Sequence, residues 1–304
     1  MSTLQLTPTE APALAHAPGA YAEESFFLGG GDDALYATLY SPRAGRRPRR
    51  CCVLLNPLDN EADNGLRFYV RMARLIAARG VLAVRFDYRG TGNSGGSFGS
   101  VSLGSLLGDI ARVRELVAGR CDEPTMCLLG ARFGAALALL HCAAGPGVDE
   151  FVLWDPVLDV ANYLRQNFVN RTILAGKLCG VAEASSSSAL ARALESEGVV
   201  ELRGLAFGRA FYAELQGFPA ESLTQPRVGS GLILAPQAQA SACHRRVLAA
   251  LGRRPAVSVV PVAAGRAPVG WDAENFSRDS ALVPELREAT LRFLFGGSPA
   301  TGRQ

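Results

Sequence analysis

Lysine and histidine are nearly missing from this chain of 304 residues: Lys177 is the single lysine, and His16, His141 and His244 are the only histidines. No two of them stand at an H-x-x-x-H or H-E-x-x-H spacing, and the seven cysteines form no C-x-x-C pair, so no metal site and no cofactor is expected. The cysteines, at 51, 52, 121, 127, 142, 179 and 243, are odd in number and sit mostly in apolar segments. They read as small buried hydrophobes in a reducing compartment. No apolar run approaches the roughly 18 residues of a membrane span, and "MSTLQLTPTEAPALAHAPGAY" lacks both a basic start and an apolar core. A cytoplasmic location with no membrane span is therefore expected.

Extreme charge is also missing. A net charge of +3 with 19% charged residues excludes nucleic-acid binding driven by bulk charge. The one basic cluster, Arg43, Arg46, Arg47, Arg49 and Arg50, has no interleaved aromatics and reads as a solvated loop entering a strand.

What is present is 48% hydrophobic residues, enough for a large core, arranged as alternating strand-like and helical patterns. The spacing predicts strands near 24–28, 35–40, 51–55, 81–86, 125–129, 151–154, 231–235 and 256–262. Helices fit 66–79, 103–118, 133–144, 241–251 and 281–295. The first two strands form an antiparallel hairpin, and the later ones a parallel sheet with helices on both faces, an α/β fold. Residues 160–228, which contain "ASSSSAL", are too long for a crossover and read as a helical cap or lid insertion. A flexible leader at 1–20, a core of 21–159 with 229–296, and a flexible tail at 297–304 complete the organisation.

Three segments carry chemical signals. "MCLLGARFGAALALLHC" runs from an apolar strand through Gly130-Ala-Arg132-Phe133-Gly134 into a helix, the layout of a nucleophile elbow. Its central serine is replaced by Arg132, and a guanidinium cannot act as a nucleophile at physiological pH. Two roles fit Arg132: pairing with Asp155 at the end of the next strand, or gripping a carboxylate or phosphate through a bidentate fork. The loop from Gly90 to Gly95 matches G-x-G-x-x-G, but no helix opens at Gly92 and Asp109 lies within a helix, so a dinucleotide site is not expected. Gly95-Gly-Ser97-Phe-Gly99 is a literal G-x-S-x-G lacking the strand and helix that would present its serine.

"LLNPL", "FDYRGTGNSGG", "LLGARFG" and "LWDPVLDVANYLRQ" follow one another in an order that resembles the α/β-hydrolase superfamily, from about Phe26 to Phe295. The arginine-bearing elbow, Trp154, Pro156, Val157 and Trp271 resemble more closely the hydrolase 2 group associated with the exosortase A system, found beside bacterial exopolysaccharide and sorting-signal genes. The resemblance implies a Ser-His-Asp triad whose positions this chain does not fill. Arg132 replaces the serine. The acid loop reads "PQAQASA" and the histidine loop "VAAGRAPVGWDAEN", with no carboxylate in the first and no histidine in the second. His141 reads as a core histidine and His244 as a surface one.

Asn56-Pro57-Leu58 stands where the resemblance places an oxyanion turn, with the Leu58 and Phe133 N–H groups as donors. The expected site is a binding cleft of Asn56, Leu58, Asp59, Arg132, Phe133, Asp155 and Trp271, without catalytic residues. It would hold a small acyl or peptide carboxylate, or a phosphate, in an accessory biosynthetic or export role, with a homodimer left open. A second reading is a triad-independent isomerase, epimerase or lyase using Asp59, Glu61 and Asp155. A third is an ester or thioester hydrolase with Ser97 or a cysteine as nucleophile.

Overall fold

The computed structural model describes residues 19–43, 47–58, 60–166, 192, 194–202, 205–236, 241–262 and 282–296. Their elements in chain order begin with β1 (Tyr21–Leu28), β2 (Leu35–Pro42), β3 (Arg50–Leu55), α1 (Asn60–Ala77), β4 (Leu82–Phe86) and α2 (Leu103–Ala118). Next come β5 (Thr125–Ala131), α3 (Phe133–Ala144), β6 (Val148–Trp154), β7 (Val199–Leu202), β8 (Leu205–Gly208) and α4 (Arg209–Gln216). The last are β9 (Val228–Pro236), α5 (Ala242–Gly252), β10 (Val257–Val262) and α6 (Leu282–Phe295).

Eight strands form one sheet in the order β1-β2-β4-β3-β5-β6-β9-β10, in which β2 alone runs against its neighbours. The middle strands are apolar throughout because both faces are covered. In β3, for example, Cys51, Val53 and Leu55 face the layer that includes α2 and α3, while Cys52 and Leu54 face the layer that includes α1 and α6. One alternating run of residues thus feeds two cores.

All eight expected strands form, several of them longer than their apolar centres. α1 starts at Asn60, six residues before the expected Leu66. Its first turn carries Glu61 and Asp63, acids suited to the positive end of a helix but invisible to an apolar period. The interval between β6 and β9 holds an element not read from the sequence, the β7/β8 hairpin. The hairpin and α4 lie on the loop before α2. Phe207 and Phe211 pack against Phe98 with ring centroids 5.1 and 5.6 Å away, and the Leu103 N–H donates to Glu214 at 2.7 Å. A side chain at Gly208 would stand 2.1 Å from the Gly99 carbonyl oxygen, so this approach requires glycine.

Candidate functional site

β5 and β6 are parallel neighbours, with Ala131 opposite Trp154, so the residues that follow them emerge side by side. Those residues are Arg132 and Asp155, and both have positive φ, at 51° and 43°. The backbone N–H of Arg132 donates to Trp154 O at 3.0 Å, and that of Asp155 to Leu234 O at 2.7 Å, which holds both in this strained conformation. Gly134 makes the turn possible: a Cβ there would lie 2.3 Å from Leu55 O and 2.4 Å from Asn56 O, both backbone atoms.

The Arg132 side chain is 11% exposed and lies between two carboxylates. Its Nε donates to Glu61 at 3.0 Å, and its Nη1 lies 2.9 Å from an Asp155 carboxylate oxygen and 3.3 Å from the Asp155 carbonyl. The Tyr163 hydroxyl donates to the other Glu61 oxygen at 2.8 Å, and the Tyr163 ring lies 5.5 Å from the guanidinium carbon. Burial alone would push the Arg132 pKa down, but the charges of Asp155 and Glu61 raise it above the ordinary arginine value. The elbow therefore presents a permanent cation.

This geometry limits what Arg132 can grip. Nε is committed to Glu61 and Nη1 to Asp155, so a bidentate fork on a third carboxylate would require one of these pairs to break. The hydrogen bonds and ion pairs of Arg132 among the described residues thus run through Nε and Nη1. Phe133 is the first residue of α3, where a helix has no carbonyl one turn earlier to receive its N–H.

The other expected site residues divide. Asp155 stands beside Arg132, and Leu58 lies buried just beyond β3. The Asn56 amide is used internally, donating to Phe86 O at 2.9 Å and so tying the end of β3 to β4. Asp59 and Trp271 lie outside the described residues. Trp154 is wholly buried, donates to Thr290 at 2.9 Å and packs on Phe68 and Tyr69, so it builds the core.

Glu61 and Tyr163 are the partners that the sequence did not assign to Arg132, since 71 residues separate Glu61 from it. His244 needs correcting. It is half-buried instead of lying on the surface, because Ser241 at the start of α5 bonds Asp159 at 2.5 Å and draws that turn toward the end of β6. Burial pushes its imidazole pKa down; Asp155 and Asp159 pull it up, while Arg132 pushes it further down. His141 is buried as expected.

Both decoy motifs have structural work. Asp109 accepts from the backbone and guanidinium of Arg89 at 2.7 to 3.2 Å, and the next α-helix after Gly92 begins only at Leu103. Ser97 caps a short 3-10 turn by accepting from the Gly99 N–H. In the basic cluster, Arg50 pairs with Glu150 at 2.6 Å and Arg47 with Asp122 at 3.6 Å. Among the described residues, no group of three or more His, Cys, Asp or Glu side chains could hold a metal ion, and no helix is long and apolar enough to cross a membrane.

The strand order, the single reversed strand and the strained turn between β5 and α3 define an α/β-hydrolase fold. A family model described as serine aminopeptidase, S33, matches residues 63–195. Est1E from Butyrivibrio proteoclasticus, solved with ferulic acid bound, is 17% identical with a TM-score of 0.61, covering 86% of this chain and 95% of its own. An esterase from Pyrococcus furiosus is 13% identical with a TM-score of 0.58, covering 94% and 96%. Mouse alpha/beta hydrolase domain-containing protein 10 is 16% identical with a TM-score of 0.55, covering 90% and 100%. At such identities the likeness is one of fold. No curated protein matches the chain.

Proposed function

We propose that this chain is a non-hydrolytic protein on an α/β-hydrolase scaffold, whose cleft binds a small acyl or peptide carboxylate or a phosphate. The observation that carries this reading is the guanidinium at the elbow, clamped by Glu61 and Asp155 where a nucleophile would stand. In this reading the Arg132 guanidinium and the Leu58 and Phe133 N–H groups are the donors for one anionic oxygen. We read residues 160–228 as a cap insertion, of which 167–191 lie outside the described residues, and Tyr163 near its start is bonded to Glu61. In this reading the protein works in the cytoplasm as an accessory factor to biosynthesis or export of acylated or peptide material.

A second reading, a triad-independent isomerase or lyase, draws on His244. Its imidazole is half-buried, and the charges of Asp155 and Arg132 both act on it.

Purified protein is expected to turn over p-nitrophenyl esters and thioesters no faster than a heat-denatured control. Labelling by a serine-directed fluorophosphonate together with turnover would overturn the proposal. A thermal-shift panel of acyl carboxylates and phosphates should find a stabilising ligand. Arg132→Lys should weaken that ligand roughly tenfold to a hundredfold, the loss of one charge-assisted hydrogen bond worth about 1.5 to 3 kcal/mol.

A further inference from the structure

We propose that the amino end of the sheet, opposite the elbow, is a docking face for anionic lipid bilayers. Among the described residues, the turns that enter β3, β4, β5, β9 and β10 carry Arg43, Arg47, Arg49, Arg79, Arg120, Arg227, Arg253 and Arg254, against two acids, Asp122 and Glu123. All of these arginines but Arg254 are exposed. The other end reverses the sign: Glu61, Asp63, Asp87, Asp155 and Asp159 stand just past β3, β4 and β6, against Arg89 and Arg132. The protein thus has a basic and an acidic pole, which a net charge of +3 conceals.

Part of this charge has structural work. Helices α1, α2, α3, α5 and α6 deliver their carboxyl ends to the basic pole, where cations suit the terminal carbonyls. Arg79 Nη1 donates to Leu75 O at 3.0 Å, Arg227 Nη1 to Gly145 O at 3.3 Å and Arg254 Nη2 to Pro226 O at 3.1 Å. Arg47 faces Asp122, and Arg120 lies 4.0 Å from Glu24. Arg43, Arg49 and Arg253 have neither an ion pair nor a side-chain hydrogen bond among the described residues. Their charge serves no contact of the fold.

Three features select a bilayer over a polyanionic strand. The first is area. The arginines follow α1 on one side of the sheet and α2 and α5 on the other, and they run from the end of β2 to the start of β10, about 30 Å at roughly 4.8 Å per strand. The second is the helix polarity, which offers carboxyl ends instead of the amino ends that cradle a single phosphate, so the attraction is diffuse. The third is aromatic. The basic cluster has no aromatic in its sequence, but the fold sets half-buried Tyr21 opposite Pro42, next to Arg43, and half-buried Phe295 under Arg79, whose guanidinium carbon lies 5.8 Å from the ring centre. Rings half sunk among arginines suit the headgroup level of a bilayer, whereas a ring covered by a guanidinium has one face closed to a stacking base.

The test is co-sedimentation of the full chain with vesicles of phosphatidylcholine, alone or mixed with phosphatidylglycerol. The wild type should pellet with the mixed vesicles, stay in solution with the neutral ones, and be released by about 1 M salt, where the screening length is roughly 3 Å. Arg43→Gln, Arg49→Gln and Arg253→Gln combined should weaken partitioning roughly a hundredfold, at about fivefold per arginine, with the melting temperature unchanged because no partner is stranded. Arg67→Gln, Arg71→Gln and Arg209→Gln combined remove the same charge from exposed positions of α1 and α4 and should bind as the wild type does. Equal losses in the two triple variants would reduce the effect to net charge and overturn the proposal, as would pelleting with neutral vesicles or none with anionic ones. A labelled single-stranded oligonucleotide bound with the same dependence on Arg43, Arg49 and Arg253 would assign the face to nucleic acid and overturn it as well. These three arginines lie at the far ends of the strands from the elbow, so each outcome leaves the reading of Arg132 where it stands.

Discussion

Helix α3 has an arginine at each end, and the two are solvated by the protein in opposite ways. At the amino end, Arg132 sits where the helix dipole disfavours a cation, and two carboxylates, Glu61 and Asp155, surround it. At the carboxyl end, Arg114 sits where the dipole favours a cation, and its partners are neutral. It hydrogen-bonds His141 Nε2 at 2.6 Å and Gly147 O at 2.9 Å. There the dipole supports the cation, although Arg114 Nε is buried without a hydrogen-bond partner. The amino end combines burial, a cation, a positive helix terminus and backbone strain, so it holds together only through its acids.

The largest effect should come from removing the cation there. Arg132→Met leaves the buried Glu61 carboxylate and the part-buried Asp155 carboxylate without their cation, a loss of about 3 to 5 kcal/mol read as a fall in melting temperature. Asp155→Asn on top of it should recover part of that loss, which a thermal double-mutant cycle measures. If the coupling to Asp155 is complete and no ligand of the carboxylate and phosphate panel shifts either protein, Arg132 is scaffold only and the contrast between the two ends loses its functional meaning.

The carboxyl end should respond to acid. Burial, with the Arg114 charge behind it, pushes His141 from 6.5 down to about 4. Between those values the unfolded chain takes up a proton that the folded chain refuses, so stability is full above about pH 6.5 and falls as the pH drops toward 4. The loss across this window is roughly 2 to 3 kcal/mol at 1.36 kcal/mol per unit. His141→Gln keeps an acceptor for Arg114 without a titrating group. Its melting temperature should therefore change less than the wild type's between about pH 7 and about pH 4.5, and equal changes in the two proteins would contradict the assignment.

The smallest effect supplies the baseline for both ends. Arg246 and Glu221 form an ion pair at 2.6 Å with side chains 66% and 76% exposed. Arg246→Ala should cost no more than about 0.5 kcal/mol, and raised salt should hide even that in a denaturant titration. A larger loss would mean that arginine pairing in this protein stabilises irrespective of burial.

The fold was legible in the sequence wherever local pattern and burial coincide. The runs "CCVLL" and "MCLLGA" are strands because both faces are covered, and Gly130 and Gly134 marked the elbow because no other side chain fits there. The pairing of Arg132 with Asp155 was also within reach, since adjacent parallel strands deliver both residues to one edge. The contact of Arg132 with Glu61 was not, because nothing periodic links a helix's first turn to an elbow 71 residues later. The β7/β8 hairpin escaped for a different reason: each strand has four residues, too few for a period of two to stand out. His244 looked solvated beside Arg245 and Arg246, and only the bond from Ser241 to Asp159 brings its turn of α5 inward.

Ten of the twelve residues of α3 are buried, which sets the time on which the two ends of that helix can move. Its amide hydrogens are expected to be among the most slowly exchanging in the protein, a result native-state hydrogen exchange would check. Tyr163, by contrast, is only half-buried. The Arg132 guanidinium is thus tied on one side to a wholly enclosed helix and on the other, through Glu61, to a half-buried tyrosine hydroxyl.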